Sequence, residues 1–240
     1  MIPRSRLSVL TAAAGDVYAK LVLATAPADL VAYWPLSEGS GSVVNDESGH
    51  GLAGSYSGAL LGQAGIGDGR TCPWFDGVND NCNVFSAGLA SAWDWSEFSV
   101  ALWVRMNAAS VWSDGANRNW VVLSGGNNYL WLRKISTANM IQVCAQYNGT
   151  GRWIQYDIGA GIGGDWFHVC LTSKAGSASY RYVDGATAIF WATVPSPSSD
   201  ALTAATIASA SSCHHGWLAH VALWGCELTA AQVAALAAPP

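Results

Sequence analysis

From Val31 onward the apolar residues fall into short runs rich in Val, Trp, Tyr and Phe. Clusters of small and polar residues cut these runs apart: GSGS at 39–42, GIGDG at 65–69, SGGNN at 124–128, NGTG at 148–151 and GAGIGG at 159–164. Many short strands with frequent turn signals predict an all-β sandwich or jelly roll. The alternation is clean in SVALWVR, Ser99 to Arg105, where Val100, Leu102 and Val104 take one face and Ala101 and Trp103 the other. Both faces are apolar, so this strand is expected to be central and covered on both sides. Tyr180-Arg181-Tyr182-Val183 runs into Asp184-Gly185, the dipeptide of a tight hairpin turn. SPSS at 196–199, after Pro195, reads as a loop.

A helical period occurs only near the two ends. Val9, Leu10, Ala13, Val17, Leu21 and Ala24 recur at spacings near three and four, which predicts a helical arm over Leu7 to Ala24 that Pro27 ends. Such a helix is too short to be stable alone and must dock, on its own sandwich or on a neighbour. Leu228 to Ala237 predicts a second helix, with Thr229 as N-cap and Pro239 and Pro240 beyond its end. The expected division is an arm over residues 1–27 and one β domain over 28–240.

Apolar residues make up 51% of the 240, enough for a sizeable core. Charged residues are only 11%, against about 25% in an average soluble chain. Two causes fit: neighbours that cover the surface, or a neutral surface of Ser, Thr, Asn and Gly. The net charge of −5 comes without a basic run, which makes nucleic acid and anionic membrane poor partners. No apolar run reaches the roughly 18–20 residues of a membrane span. The start, MIPRSRLSVLTAAAG, has the outline of a short signal peptide, but its apolar stretch is barely long enough, and it is read as a retained N-terminus.

Six cysteines are present and none forms a CxxC pair, which weakens zinc-ribbon and redox readings. Cys72 and Cys82 flank PWFDGVNDN and could face each other across a hairpin, while Cys144 and Cys170 could be inward-facing hydrophobes. Cys213 and Cys226 flank a strand roughly 30 Å long, too long for them to pair with each other. Disulfides and buried thiols both stay open.

Six motifs in order carry a resemblance. They are AYWPLSEGSG with DESGHGLAG (Ala32 to Gly54), FDGVNDNCNV (Phe75 to Val84), FSVALWVR (Phe98 to Arg105), DWFHVCLT (Asp165 to Thr172), YRYVDGA (Tyr180 to Ala186) and GWLAHVALWGCELTAAQVAAL (Gly216 to Leu236). Together they resemble the laminin-G-like, concanavalin-A-like jelly-roll family. The resemblance implies a two-sheet antiparallel jelly-roll sandwich, with an N-terminal helical arm and a short C-terminal helix added. It also implies that the strand with Tyr33 and Trp34 lies beside the strand Val221 to Trp224. Asp16 to Leu36 is similar to a segment that opens virion proteins of tailed bacteriophages carrying this domain.

Catalysis finds little support. The four glutamates, Glu38, Glu47, Glu97 and Glu227, form no strand-borne acid-x-acid pair, although retaining glycoside hydrolysis needs two carboxyls about 5–5.5 Å apart. His168 has no GxSxG serine to serve. His214, His215 and Cys213 lack a fourth zinc ligand at useful spacing. One structural calcium is the metal the resemblance implies, with Asp46, Asn79 and Asp80 as candidates; the alternative for Asp46 is a cap on its own turn. The family usually carries I-D-E-V where this chain has Leu218-Ala219-His220-Val221, and a neutral imidazole is a poor calcium ligand.

Tryptophan is unusually frequent, with 13 residues. Trp34, Trp103, Trp166 and Trp224 match core positions of the resembled family. Of the others, Trp93, Trp95, Trp112 and Trp120 are the candidates for binding a glycan or a protein partner, since aromatic faces stack on sugars and anchor interfaces. Core packing is the competing role. The expectation is a non-enzymatic structural protein of a bacteriophage particle, decorating the head or attached to the tail. Its partners would be other virion proteins, further copies of itself and a host-surface glycan. The alternative is a secreted, extracellular bacterial carbohydrate-binding module.

Overall fold

The computed structural model describes residues 17–159, 164–209 and 211–238. The expectations for residues 1–16 lie outside them. The first helix, α1, covers residues 17–24. The strands follow: β1 (Leu30–Trp34), β2 (Val43–Val44), β3 (Gly54–Ser57), β4 (Leu60–Ala64), β5 (Thr71–Asp76), β6 (Asn81–Asn83), then helix α2 (Ala87–Ala92) and β7 (Glu97–Met106). A 3-10 turn at Ala109–Ser113 leads to β8 (Arg118–Gly125), β9 (Asn128–Lys134), β10 (Met140–Tyr147), β11 (Thr150–Asp157), β12 (Phe167–Lys174), β13 (Ser179–Val183), β14 (Ala186–Trp191), β15 (Ala204–Ile207), β16 (His215–Trp224) and helix α3 (Ala230–Leu236).

Two eight-stranded sheets form. Sheet A runs β14-β13-β12-β7-β16-β5-β4, with β1 also paired to β16; sheet B runs β11-β10-β9-β8-β15-β6-β3-β2. Every ladder between these strands is antiparallel. Trp34 pairs with Val221 and Tyr33 with Ala222, the adjacency expected of the first and last strands. The hairpin turns follow their sequences: Asp184-Gly185 and Asn148-Gly149 both hold two successive positive φ angles, 47° and 76°, then 48° and 77°.

β7 sits in the middle of sheet A and its alternation is used on both sides. Val100, Leu102 and Val104 enter the main core between the sheets, with Trp34, Phe75, Phe98, Leu130, Leu132 and Phe167. Ala101 and Trp103 enter a second core behind sheet A, under α1 and α3, with Tyr18, Val22, Tyr33, Trp224, Val233 and Leu236. Burying each such large side chain contributes about 1.5–3 kcal/mol. The helices are short but tied down. Tyr18 Oη donates to Leu236 O and accepts from Trp103 Nε1, and Trp224 Nε1 donates to Thr25 O. Thr229 and Gln232 close a capping box at the start of α3.

Three expectations are corrected. In α1 the docked face is Tyr18, Ala19 and Val22, while Val17 is 62% exposed and Ala24 lies outward, so the apolar stripe is rotated about one residue from the expected one. Cys72 and Cys82 do not face each other in a hairpin, because the chain crosses from β5 in sheet A to β6 in sheet B between them. None of the six cysteines is disulfide-bonded. Cys170 is buried behind sheet A. Cys144 belongs to the outer side of sheet B, since its neighbours Val143 and Ala145 are the ones that face the main core.

Candidate functional site

The helices close the back of sheet A, so the outer side of sheet B is the open sheet face. Simple alternation builds it. Along β9, Leu130 and Leu132 point inward and are fully buried, leaving Tyr129, Trp131 and Arg133 half-buried on the outside. On β10 the inward set is Ile141, Val143, Ala145 and Tyr147, which sends Gln142, Cys144 and Gln146 outward. Register aligns these into rows across the strands. Tyr129 pairs with Gln146, Trp131 with Cys144 and Arg133 with Gln142. The rows continue to Gly151, Trp153 and Gln155 on β11. Trp153 is 63% exposed.

Tyr129, Trp131 and Arg133 stand as a ladder. The Tyr129 and Trp131 rings stack with centroids 4.7 Å apart and planes at 21°. The Arg133 guanidinium carbon lies 4.4 Å from the Trp131 ring centroid, a cation–π contact. Arg133 is fixed from the side as well, because its Nε and Nη2 both donate to Gln142 Oε1. With a neighbour two residues away on each side, Trp131 has both faces covered and turns its edge outward.

A groove of about 400 Å³ runs beside this ladder. Asn119, Val122 and Ser124 of β8 form its floor, and Ser209, Ser211 and Ser212 its far wall. No carboxylate lines it. Asn119 is only 7% exposed, yet its Oδ1 is buried without a hydrogen-bond partner. Burial lowers the pKa of Arg133, and the tyrosine and cysteine beside it pull the other way. The arrangement offers hydroxyls, an amide, one cation and aromatic edges around the apolar Val122, with an exposed indole two strands away, roughly 9–10 Å across the sheet. These are groups that recognise a polar ligand with apolar faces by hydrogen bonding and stacking.

Residues 74–234 match the model of the concanavalin A-like lectin/glucanases superfamily. The chain belongs to this superfamily. No curated protein matches its sequence. Among solved structures it is similar to a botulinum neurotoxin type C whose entering of cells is dependent upon interaction with two ganglioside molecules, at TM-score 0.71 and 13% identity over 90% of this chain and 52% of that one. The botulinum serotype D binding domain gives TM-score 0.67 at 12% identity, over 87% of this chain and 51% of that one. The chain thus spans about half the length of these two. Domain 4 of an extracellular arabinanase from Geobacillus stearothermophilus, in complex with arabinotriose, gives TM-score 0.65 at 14% identity, over 88% of this chain and 98% of that domain. At these identities the likeness establishes the superfamily's fold and nothing finer.

Within that fold the expected tryptophans are not at the surface. Trp93, Trp95, Trp112 and Trp120 are 7%, 5%, 2% and 1% exposed and belong to the main core. Trp93 and Trp95 pack edge-to-face at 5.6 Å and both meet Phe98. Trp112 and Trp120 both pack on Phe167. Rings buried this deeply cannot stack on a ligand. Trp131 and Trp153 do face outward on sheet B, and Trp131 carried a signal in NYLWLRK, where Leu130 and Leu132 alternate with Tyr129, Trp131 and Arg133.

The calcium candidates serve separate turns. Asp46 Oδ1 accepts from Tyr33 N and Ser48 N, and Oδ2 from Ser48 Oγ and Leu52 N, so the carboxylate caps its own loop and is held below its ordinary pKa by those donors, against the opposing effect of burial. Asp80 Oδ2 accepts from Asp76 N, and burial raises its pKa. Asn79 donates its backbone N–H to Asp76 Oδ1. Among the described residues no three His, Cys, Asp or Glu side chains are grouped to hold a metal ion. His214 is buried with Nε2 near Trp217 O, and Cys213 Sγ donates to Val78 O, so these two do not converge on a metal. His168 is buried against Trp103 at 5.4 Å, and burial pushes its pKa down to about 3.

Proposed function

We propose that the chain is a non-enzymatic carbohydrate-binding jelly roll whose ligand lies across the outer side of sheet B. The observation that carries this reading is the groove beside Tyr129, Trp131 and Arg133, with its neutral hydroxyl and amide lining. Neighbours of the same fold that act on or bind sugars lend it support. Three of the four glutamates are engaged elsewhere: Glu38 accepts from Asn45 and Tyr56, Glu47 from Arg70, and Glu97 pairs with Lys174 at 2.9 Å and accepts from Glu227 N. A glycan array probed with a multivalent form of the protein tests the reading, since single lectin-like sites are weak and repeated copies supply avidity. Binding should be lost on Val122→Glu, which charges the groove floor, and weakened on Trp153→Ala, with the melting temperature little changed. Unaltered binding by both variants, or none by the parent protein, would overturn it.

The finer reading is a component of a bacteriophage particle, on head or tail, beside other virion proteins and copies of itself, reading a host-surface glycan. Its support is the likeness of Asp16 to Leu36 and the low share of charge. Electron microscopy of the native sample decides it. The alternative, a secreted bacterial module, draws on the arabinanase domain, which the chain covers almost end to end.

A further inference from the structure

Arg133 and Asn119 are directly paired across β9 and β8, and both line the groove. Arg133 forms no ion pair among the described residues, and the nearest polar partner it has is the neutral Gln142, which takes Nε and Nη2. Its Nη1 makes no hydrogen bond among those residues. Asn119 leaves its side-chain amide unpaired although its Oδ1 is buried. Buried amides are nearly always satisfied, and an exception needs a cause. The next rung along the sheet is Val122 opposite Trp131, an apolar floor beside an aromatic edge. One end of the groove therefore holds an immobilised cation and an idle amide, and the adjoining part holds a surface suited to the C–H face of a sugar ring.

We propose that the groove takes an acidic saccharide, with the sugar carboxylate accepting from Arg133 Nη1 and Asn119 Nδ2, and a hydroxyl of the sugar donating to Asn119 Oδ1. This rests on the reading of the face as a glycan site. A carboxylate suits the geometry because a guanidinium edge and a neighbouring N–H group make parallel, charge-assisted hydrogen bonds to its two oxygens. Sulfated glycans are poorer candidates. Each of their sugar residues carries more charge than the single carboxylate of a uronate, and the groove has one cation to meet it.

The test is binding of the intact protein to four probes: oligogalacturonate, its methyl ester, sialyllactose and heparin. Oligogalacturonate or sialyllactose should bind, and which of the two does so identifies the source as a uronic or a sialic acid. Arg133→Gln should weaken that binding about tenfold, the value of one charge-assisted contact, and Arg133→Lys should restore only part of it. Asn119→Ala reports on the amide, with thermal melts to show that each variant is folded. Two results overturn the proposal while leaving a glycan site intact: the methyl ester binding as well as the acid, or heparin alone binding. Loss of every probe, and of neutral glycans too, removes the glycan site itself.

Discussion

His220 Nε2 lies 3.0 Å from Asp68 Oδ2 in a place where both side chains are almost fully shielded from water. On the other side of the ring, Tyr33 Oη is 2.7 Å from Nδ1. One tautomer fits both contacts: Tyr33 O–H donates to Nδ1, and the protonated Nε2 faces Asp68 Oδ2. Asp68 Oδ1 accepts in addition from Arg70 N. His220 adopts a left-handed φ of 54° at a bulge in β16, which turns its side chain toward the rear core. Asp68→Ala should cost about 3 kcal/mol, since it leaves two buried donors unpaired. Chemical denaturation of the variant measures this, and a change below about 1 kcal/mol would show that the network carries little.

Three buried histidines set the acid response. Burial pushes His168 and His214 down to about 3. It lowers His220 as well, against the opposing pull of Asp68. Folded, these rings stay neutral; unfolded, they take protons near the ordinary value of about 6.5. The unfolded chain thus binds more protons below that pH, so stability is complete above about 6.5 and falls as the pH drops toward about 3. By pH 5 the loss should be about 2 kcal/mol each for His168 and His214. Asp68 is also held low, by the His220 hydrogen bond acting against burial, so its contribution disappears last, as the pH falls below the usual carboxylate range. Urea melts at several pH values test this; a flat profile between pH 7.5 and 5 would contradict it.

Tryptophan substitutions should separate core from surface. Trp120→Ala and Trp112→Ala remove rings that are 1% and 2% exposed and should cost about 3–5 kcal/mol each. Trp153→Ala removes a ring that is 63% exposed and should alter stability by about 0.5 kcal/mol or less. The same three variants scored by thermal melting give the contrast directly.

Tyr18→Phe isolates the docking of α1. The hydroxyl links Trp103 Nε1 at 2.7 Å to Leu236 O at 2.8 Å. Its loss strands both groups in the rear core, at a cost of about 1–3 kcal/mol. Amide exchange should then rise in α1 and α3 before it rises in sheet B.

Much of the fold could be read from local pattern. SVALWVR announced a strand with two apolar faces, Asp184-Gly185 a tight turn, and Thr229 a helix start, because each is decided within a few residues. The site was harder to read, and Trp120 shows why. Strict alternation puts it on the same face as Val122 and Ser124, outside. A register shift between Asn119 and Val121 sends Trp120 and Val121 both inward, and no local signal marks it. Trp93 and Trp95 lie in a segment that looks like exposed loop, yet they pack against Phe98 in the main core through contacts that depend on tertiary structure. Cys144 misled for the opposite reason: an apolar residue in a strand suggests an inward position, but here it is an outward one roofed by its neighbours.

The hydrogen bond from Tyr18 to Leu236 joins positions 218 apart in the chain, behind sheet A. Residue 17 and residue 238 therefore lie close together on the closed side, and the groove opens on the other. A support or a fusion partner joined at residue 17 or at residue 238 would sit at the rear and leave the groove facing away from it. Copies mounted on a common base by these ends would turn their open faces in one direction, as paving does.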